Sequence, residues 1–494
     1  MKSALILYPN QLFPLKQLPE VDTVIIVEDP LFFGIDREFP QRIHKQKIIL
    51  HRASIQRYIE EVLWPANVNV DYVALDGLFT TQDIFERARK FDRLFIFDPV
   101  DDVITRRLLE ARRADSSIAS FEFLTNPNFY LNNTELQQYF SSKHKYEFDE
   151  FYQWQRERFN VLIDEDYQPE GGKWIFNDQK ARLPHEAALP SFGVFGSNKY
   201  VDEAVKYVNK HFPDNPGVTD FIWPTSHEEA VTWLDDFINN RLDSFADFDE
   251  SVDSQAVWVY HSALSSSLNI GLLSSKQVVN AAIERHKKRP VKLASLETFT
   301  RQILGWREYT RGQYLTKHVP MRTANTFGYK RKLTNHWRDG TLGIPPFDNM
   351  IKRINNHGYV HHSERLMVAG NLMLLSEIDP QDIYKWFSEL FIDSYDWVML
   401  PNVYNMCQMI ETGTKSIKPH ISGSDFILDV SNYEKGDWCD VWDGLLWRFI
   451  DKNHSKFQGN SQMKLVVEHY KKLDVNKRRI IGYRAEDFLN KFTK

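Results

Sequence analysis

Short apolar runs separated by polar segments dominate the first quarter of the chain. Five of these runs are rich in Val, Ile, Leu and Phe, namely Ala4–Leu7, Val24–Val27, Val70–Leu75, Leu94–Phe97 and Phe121–Leu124. The polar segments between them are compatible with helices. Buried strands that alternate with helices are typical of a parallel sheet with helices on both faces. We therefore predict a Rossmann-like α/β domain over residues 1–130.

Beyond about residue 225 the apolar positions recur with the period of a helix. The segments with this pattern are Glu228–Phe237, Lys276–His286, Leu296–Gln313, Phe347–Asn356, His361–Leu375 and Ile383–Phe391. Residues 131–225 are polar and poorly periodic, with one helix expected around Glu147–Val161. The pattern thus predicts a surface connector over residues 131–225 and an all-helical domain over residues 226–494.

Length and charge narrow the range of functions. A chain of 494 residues is too long for one ordinary domain, so we expect two or three. The net charge of −6 gives no overall basic field of the kind that favours nucleic-acid binding. Two basic runs, Arg285–Arg289 and Lys330–Lys332, leave a local DNA-binding face open, and a solvated loop explains each run equally well.

The low cysteine content indicates a reducing compartment, and the lengths of the apolar runs argue against a membrane segment. Cys407 and Cys439 are the only two cysteines, so we expect neither a disulfide framework nor a four-cysteine metal site. No apolar run reaches the roughly 18 residues of a membrane span. The N-terminal apolar run is too short for a signal peptide. We therefore expect a cytoplasmic protein without a membrane segment.

The predicted sheet carries no common phosphate-binding loop. Neither G-x-G-x-x-G nor G-x-x-x-x-G-K-[ST] occurs in it, which argues against an ordinary dinucleotide or P-loop site. Polar turns follow the first two strands at Tyr8–Gln11 and Glu28–Pro30. The carboxyl ends of parallel strands are where such sheets bind ligands, so these turns are either a binding edge or plain loops.

The stretch Gly358–Asn371 holds the strongest candidate chemistry. His361 and Arg365 are four residues apart and share one face of a helix, and His362 lies beside them. Aromatic and acidic residues follow, including Asp393. Histidine, arginine, carboxylate and aromatic side chains together suit a buried site for an anionic, redox-active ligand. Packed or hydrogen-bonded histidines also explain the pattern.

Aromatic and hydroxyl side chains elsewhere fit the same kind of site. Trp337, Trp386 and Trp397 are spaced through the helical part, where indoles either relay single electrons or fill a core. Ser265–Ser267 precede a helical run, so their hydroxyls and backbone N–H groups suit a phosphate or an ordinary helix start.

A series of motifs in a fixed order resembles one known family. They are YPNQLF, VEDPLFF, HKQKIILHRAS, FDEFYQWQRERFNVLID, GGKWIFN, HSALSSSLNIGLL, LETFTRQILGWREYTRG, YVHHSERLMVAGN, IDPQDIYKWF, YDWVMLPNV and KPHISGSDFIL. The chain is similar over nearly its whole length to the prokaryotic photolyase and cryptochrome family of the iron–sulfur, bacterial (6-4) photolyase type. That resemblance implies an α/β antenna domain followed by a helical domain that binds FAD, and a 6,7-dimethyl-8-ribityllumazine antenna is common in the family.

The resemblance also implies an activity and a partner. Reduced FAD, excited by light, passes one electron to a (6-4) pyrimidine photoproduct flipped out of UV-damaged DNA, and a histidine donates a proton. The alternatives are a cryptochrome-type blue-light photoreceptor without repair activity and a cyclobutane pyrimidine dimer photolyase. We expect a monomer.

Residue roles follow from the matching motifs. His361 and His362 match the histidine pair at the lesion, and His361 is the expected proton donor. The residues that match flavin-binding segments are Ser265, Ser266, Ser267, Gln302, Arg307, Arg365, Asn371, Asp393, Tyr395 and Met399. Trp386, with Trp337 and Trp397, matches the electron-transfer route. The antenna candidates are Glu28, Leu31, Phe32 and Lys47.

The chain departs from the family pattern at four places. The four cluster cysteines are missing, with Pro346, Glu434, Asp437 and Asp440 near their positions, so we expect no iron–sulfur cluster and no metal site. Instead, Trp438, Trp442 and Trp447 are expected to pack the C-terminal region. Met399 stands where a glutamate is frequent near the flavin N5, and Phe387 and His420 stand where tyrosines are frequent.

Overall fold

The computed structural model describes residues 1–77, 81–115, 121–143, 145–176, 189–190, 192–408, 421–457, 468 and 472–494. Five strands form one sheet: β1 (Ser3–Leu7), β2 (Thr23–Val27), β3 (Val70–Val73), β4 (Arg93–Phe97) and β5 (Phe121–Leu124). Their order is β3-β2-β1-β4-β5, and every pairing is parallel. Because β1 and β2 are almost wholly buried, each reads as a continuous apolar run. The predicted α/β fold is confirmed.

Helices flank and follow this sheet. Those before residue 226 are Pro30–Phe33, Lys45–Tyr58, Thr81–Ala88, Asp102–Ala114, Asn133–Ser141, Phe148–Phe159 and Lys199–His211. The last of these was not expected, because its segment is polar overall. Its four buried side chains Tyr200, Val201, Ala204 and Val208 have helical spacing, and the helix packs on Lys45–Tyr58. The expected surface connector therefore contains an amphipathic helix that covers the sheet region.

The described remainder of the chain is helical, as predicted. The α-helices are His227–Asn240, Phe245–Phe248, Ser265–Ile270, Ser275–Lys288, Leu293–Thr300, Arg307–Thr323, His336–Asp339, Pro345–His357, Asn371–Leu375, Pro380–Leu390, Asp396–Pro401, Ser424–Val430, Asp437–Asn453 and Val475–Phe492. Wider, π-helical turns join several of them, at Arg301–Trp306, Glu364–Gly370 and Asn402–Cys407. A fourth π-helical turn, Ile59–Leu63, extends Lys45–Tyr58.

Helix starts follow side-chain caps. Asp379 accepts a hydrogen bond from the Gln381 N–H, with Pro380 in the first turn. The helix at His227 is capped by Ser226, whose hydroxyl accepts from the Glu229 N–H.

The C-terminal helices pack through tryptophans. Trp442 is wholly buried and Trp438 is 5% exposed, and their indole N–H groups donate to the carbonyls of Ser422 and Glu434. Trp447 packs on the same core while partly exposed. Near the positions of the family's cysteines, Arg484 lies 3.5 Å from Asp437 and 3.7 Å from Asp440.

None of the described helices combines the length and the apolar character that a bilayer-spanning segment needs.

Candidate functional site

A cavity of about 500 Å³ lies among the helices, and its walls bring together distant parts of the chain. Of the residues predicted for the site, those that line it are Ser265, Gln302, Arg307, His361, His362, Arg365, Asp393, Trp397 and Met399. The cavity therefore joins the two candidate segments around residues 361–365 and 393–399 with segments around residues 261–269 and 301–310.

Three π-helical turns form much of the cavity wall. Arg301–Trp306, Glu364–Gly370 and Asn402–Cys407 each contribute side chains to the lining. Such wide turns are uncommon and are frequent at functional sites, because they turn successive side chains out of the regular helical positions. Here they direct Gln302, Arg365 and Cys407 to the same cavity.

A buried ion pair fixes one side of the cavity. Both terminal guanidinium nitrogens of Arg365 bind the Asp393 carboxylate, at 2.8 and 3.1 Å. The Arg365 Nε donates to the Val360 carbonyl at 2.8 Å, and the Ser265 hydroxyl donates to Asp393 at 2.6 Å. A bidentate pair of this kind is rigid, since two parallel bonds hold the planes together.

Arg307 presents a second cation, and its hydrogen-bond partners are neutral. Its guanidinium donates to the Asn269 side chain at 2.5 Å and to the Leu268 carbonyl at 3.3 Å, while its Nε has no hydrogen-bond partner among the described residues. The ring centroids of Phe129 and Trp397 lie 4.7 and 4.8 Å from the Arg307 Cζ atom. Burial lowers the pKa of Arg307 to about 9, so the side chain remains charged at neutral pH. A buried cation with neutral partners suits an anionic ligand.

Three histidine rings form a row at the cavity wall. The ring centroids of His261 and His361 are 3.2 Å apart with nearly parallel planes, and those of His361 and His362 are 4.1 Å apart. His261 and His361 are 3% and 4% exposed, whereas His362 is exposed. The Arg365 N–H donates to the His361 carbonyl, so the predicted four-residue spacing does place both on one helical turn.

Several predicted residues stand near the cavity without lining it. The Asn371 side chain donates to Ser422, and the Tyr395 hydroxyl lies 2.8 Å from the His51 Nε2. Ser266 and Ser267 are buried in the short helix Ser265–Ile270. Within the part of the chain that the structure describes, the Ser266 hydroxyl has no hydrogen-bond partner.

Two tryptophans of the expected electron route, Trp386 and Trp337, lie in a continuous aromatic core. Trp386 and Trp337 are wholly buried, and the Trp386 indole N–H donates to the Trp337 carbonyl at 3.2 Å. Phe347 lies between them, 6.1 Å from Trp386 and 5.1 Å from Trp337. Phe387, which lines the cavity, is 5.0 Å from Trp386.

The antenna candidates lie at the sheet edge and bind protein groups. The Glu28 carboxylate is wholly buried and bonds to Arg52 and to the Leu75 N–H. Lys47 donates to the carbonyl of Ser394 and lies 3.3 Å from its hydroxyl. Phe32 is buried against Tyr8, His51 and Tyr395, and Leu31 is partly buried.

The structure adds residues that the sequence reasoning did not select. His261 and Asn269 line the cavity from the segment that carries the three serines. Trp306 also lines it, and its ring stacks on Phe148 with centroids 3.7 Å apart. The HSALSSSLN motif contained the signal for the first two, but only folding shows that both face the cavity. His420 lies outside the described residues.

The residues of the cavity fit FAD. Arg307, whose Nε has no hydrogen-bond partner in the described part of the chain, can donate to phosphate oxygens, and its charge suits a pyrophosphate. The aromatic wall offered by Trp306 and Trp397 suits flat rings. Among the described residues no group of three His, Cys, Asp or Glu side chains has the arrangement of a metal site.

Two family models match the chain. Residues 5–223 match "Deoxyribodipyrimidine photo-lyase-related protein", and residues 292–420 match "FAD binding domain of DNA photolyase". The second model covers most of the residues that surround the cavity.

Relatives and a solved structure point the same way. A (6-4) photolyase of Agrobacterium fabrum is 27% identical over 478 residues, which is 91% of each chain. A deoxyribodipyrimidine photo-lyase of the same species is 26% identical over 35% of this chain and 36% of its own, and Cryptochrome-1 of Erithacus rubecula is 24% identical over 37% of this chain and 31% of its own. The fold of a bacterial class III photolyase from Agrobacterium tumefaciens covers 99% of this chain and 98% of its own, with a TM-score of 0.58 and 16% identity.

Proposed function

Because this chain belongs to the photolyase and cryptochrome family, we propose that it repairs (6-4) pyrimidine photoproducts in DNA under light. One observation carries the proposal: His361 and His362 line the same cavity as the Arg365–Asp393 ion pair. A proton donor and a flavin site in one cavity are what this repair requires. The 27% identical relative over 91% of the chain supports the same lesion.

FAD, when bound, supplies an electron to the lesion under light and takes it back, so the reaction has no net redox change. Arg307 would hold its phosphates, and Arg365 with Asp393 would border its ring system. Protein groups also hold the ion pair, since the Ser265 hydroxyl donates to Asp393 and the Arg365 Nε donates to the Val360 carbonyl. A site built in this way needs little rearrangement on binding.

His361 acts in this proposal as the general acid. Its Nδ1 accepts a hydrogen bond from the Ser363 N–H at 3.3 Å, so the neutral ring carries its proton on Nε2. The protonated ring would give one proton to the oxygen or nitrogen group that must return to its original base. The same proton returns to the ring when the repaired base has formed.

DNA binding requires a basic surface and a lesion turned out of the helix. The run at the end of Ser275–Lys288 is the better candidate, because Lys288 and Arg289 are exposed there. In the second run, Lys332 already pairs with Asp379 and Asp382. We further propose that the protein acts as a cytoplasmic monomer, without an iron–sulfur cluster.

Light-dependent repair of one oligonucleotide tests the proposal directly. The substrate carries a single (6-4) photoproduct, the protein is flavin-reduced, and a dark sample is the control. The expected result is conversion to the undamaged strand in blue light alone. His361→Ala should slow repair by about 100-fold or more while flavin stays bound. His211→Ala, which replaces an exposed histidine of helix Lys199–His211, is the matched control and should repair normally.

A second substrate distinguishes repair of the (6-4) photoproduct from repair of the cyclobutane dimer. An oligonucleotide with a cyclobutane dimer is assayed in parallel. Repair of the cyclobutane dimer that survives His361→Ala, with no action on the (6-4) photoproduct, would replace the proposal by a cyclobutane dimer photolyase.

A blue-light photoreceptor is the second candidate function, since two residues of the cavity favour it. Met399 and Phe387 both line the cavity. The thioether of Met399 cannot exchange a proton, and the benzene ring of Phe387 is a poor electron relay. A light-induced change in molecular shape, measured by solution scattering, without repair of either lesion would favour this function.

A further inference from the structure

His261 is a buried histidine that neither the motifs nor the mechanism above assigns to a task. Its ring lies face to face with His361, with centroids 3.2 Å apart and an angle of 18° between the planes. At this separation no water fits between the rings. His261 therefore covers one face of the proposed proton donor, and His362 approaches the donor at an angle of 59°.

The surroundings of His261 keep its own ring in one place. The ring is 3% exposed, and its Nε2 lies 3.4 Å from the Asp249 carbonyl, to which it donates. Its backbone carbonyl accepts from buried Arg241, which pairs with Asp236. His261 is thus anchored through both its side chain and its backbone.

We propose that His261 is a positioning residue for His361: its anchored ring stacks on the donor ring, holds that ring in one orientation, and offers it a π face when it is protonated. This inference rests on the proposed function, because it assigns His261 to the same proton transfer. It does not make His261 a donor, since its Nε2–H already binds the Asp249 carbonyl.

The charges around the pair favour a neutral His261 ring. The facing charged or titratable side chains are Asp249, Glu250, Arg241, His362, Glu364 and Arg365. Burial, and secondly His362, lower the pKa of His261 to about 3, so this ring is neutral at physiological pH. A second positive charge 3.2 Å from the first would be strongly unfavourable in a buried site. A neutral aromatic face instead stabilises a cation placed against it.

Two substitutions of similar size test whether the side chain at position 261 acts by stacking on His361 or only by filling space. His261→Phe keeps a flat π face, whereas His261→Leu fills the site without one, and both lose the bond to Asp249 equally. His227→Leu is the control, because His227 also bonds a backbone carbonyl, that of Leu12, and does not line the cavity. All variants are studied as the FAD-bound full chain.

The first measurement is an NMR titration of the histidine rings without DNA, so it does not depend on repair. In the wild type and in His261→Phe we expect a single His361 tautomer and the same pKa. In His261→Leu we expect a mixture of tautomers and a pKa lower by about half a unit to one unit, because the cation loses its π face. Identical His361 titrations in the Phe and Leu variants would overturn the proposal.

The second measurement is repair as a function of pH. A lower pKa removes the protonated donor at a lower pH, so the alkaline limb of the repair profile should shift down in His261→Leu and stay in place in His261→Phe. The repair rate of the Leu variant should fall about tenfold through loss of orientation, with unchanged DNA affinity. If the wild type repairs no lesion, the proposed function fails while the NMR titration still decides the role of His261.

Discussion

The helical cavity and the sheet edge hold their buried charged groups differently. In the cavity, Arg365 and Asp393 form a bidentate pair, and Arg307 stays charged at neutral pH beside neutral partners. At the sheet edge, burial pushes two groups towards neutrality: the pKa of Asp29 rises to about 6 and that of Lys47 falls to about 8. The nearby His51 follows the same direction, with a pKa far below its ordinary value.

This difference separates a site organised for an ionic ligand from a packed interface. Keeping a charge buried costs free energy unless a partner or a ligand repays it. In the cavity, Asp393 is paired with Arg365 and Arg307 is placed for an anionic ligand, whereas at the sheet edge burial moves the pKa values of Asp29 and Lys47 towards neutrality. The three predictions below test this contrast, beginning with the largest effect.

Arg365→Ala should remove most of the bound flavin. The substitution leaves Asp393 buried and ionised, which costs about 3–5 kcal/mol. We expect the flavin content of the purified protein to fall at least tenfold, which corresponds to a loss of about 1.4 kcal/mol or more in flavin binding. Flavin absorbance per protein gives the measurement.

Arg52→Ala is the matched control, because Arg52 also binds a buried carboxylate, Glu28, but at the sheet edge. It should destabilise the protein and still bind flavin. Equal flavin loss in the two variants would contradict the contrast between the regions.

Asp29→Asn should change the pH dependence of stability. Burial raises the folded-state pKa of Asp29 from 3.8 to about 6, so the native state holds the proton more tightly than the unfolded chain. The wild type therefore loses stability at this site as pH rises from about 4 to about 6, by roughly 3 kcal/mol when 2.2 units of pKa are converted.

Urea unfolding at several pH values checks this prediction. Asn keeps the cap that Asp29 gives to the Leu31 N–H. The variant should therefore lack the loss of stability that the wild type shows as pH rises, and it should be more stable than the wild type at pH 8. A variant that follows the wild-type pH profile would show that burial does not raise the pKa of Asp29.

Arg307→Gln should weaken flavin binding and leave the flavin-free protein as stable as before. Gln keeps a donor for Asn269 and removes a cation whose partners are neutral, so folding loses little. Flavin affinity should fall about tenfold, as expected for one charge-assisted hydrogen bond. Fluorescence titration with FAD and thermal unfolding of the flavin-free protein measure the two effects, and an equal loss in both would contradict a ligand-directed role.

The sequence predicts the parts of this molecule that depend on local pattern. The five strands appear where apolar runs predicted them, since a parallel sheet buries both faces of β1 and β2. The pairing of His361 with Arg365 on one helical turn followed from their spacing. Motif order then located the segments of the cavity.

Other features depend on contacts between distant segments. His261 meets His361 across 100 residues, and no spacing rule connects them. Motif matching identifies a segment but not the face that it shows, so Tyr395 bonds His51 of the sheet region while its neighbour Asp393 lines the cavity. Helix Lys199–His211 was missed because its four buried residues lie in a polar segment.

The four consecutive residues Asp393, Ser394, Tyr395 and Asp396 set a limit on how this architecture can be recombined. The outer two bond within the helical region, to Arg365 and to Tyr314, and the inner two bond to Lys47 and His51 of the sheet region. One inserted residue would exchange those partners. A chimera that takes its sheet half and its helical half from different relatives must therefore inherit this tetrapeptide together with helix Lys45–Tyr58, as a single unit of exchange.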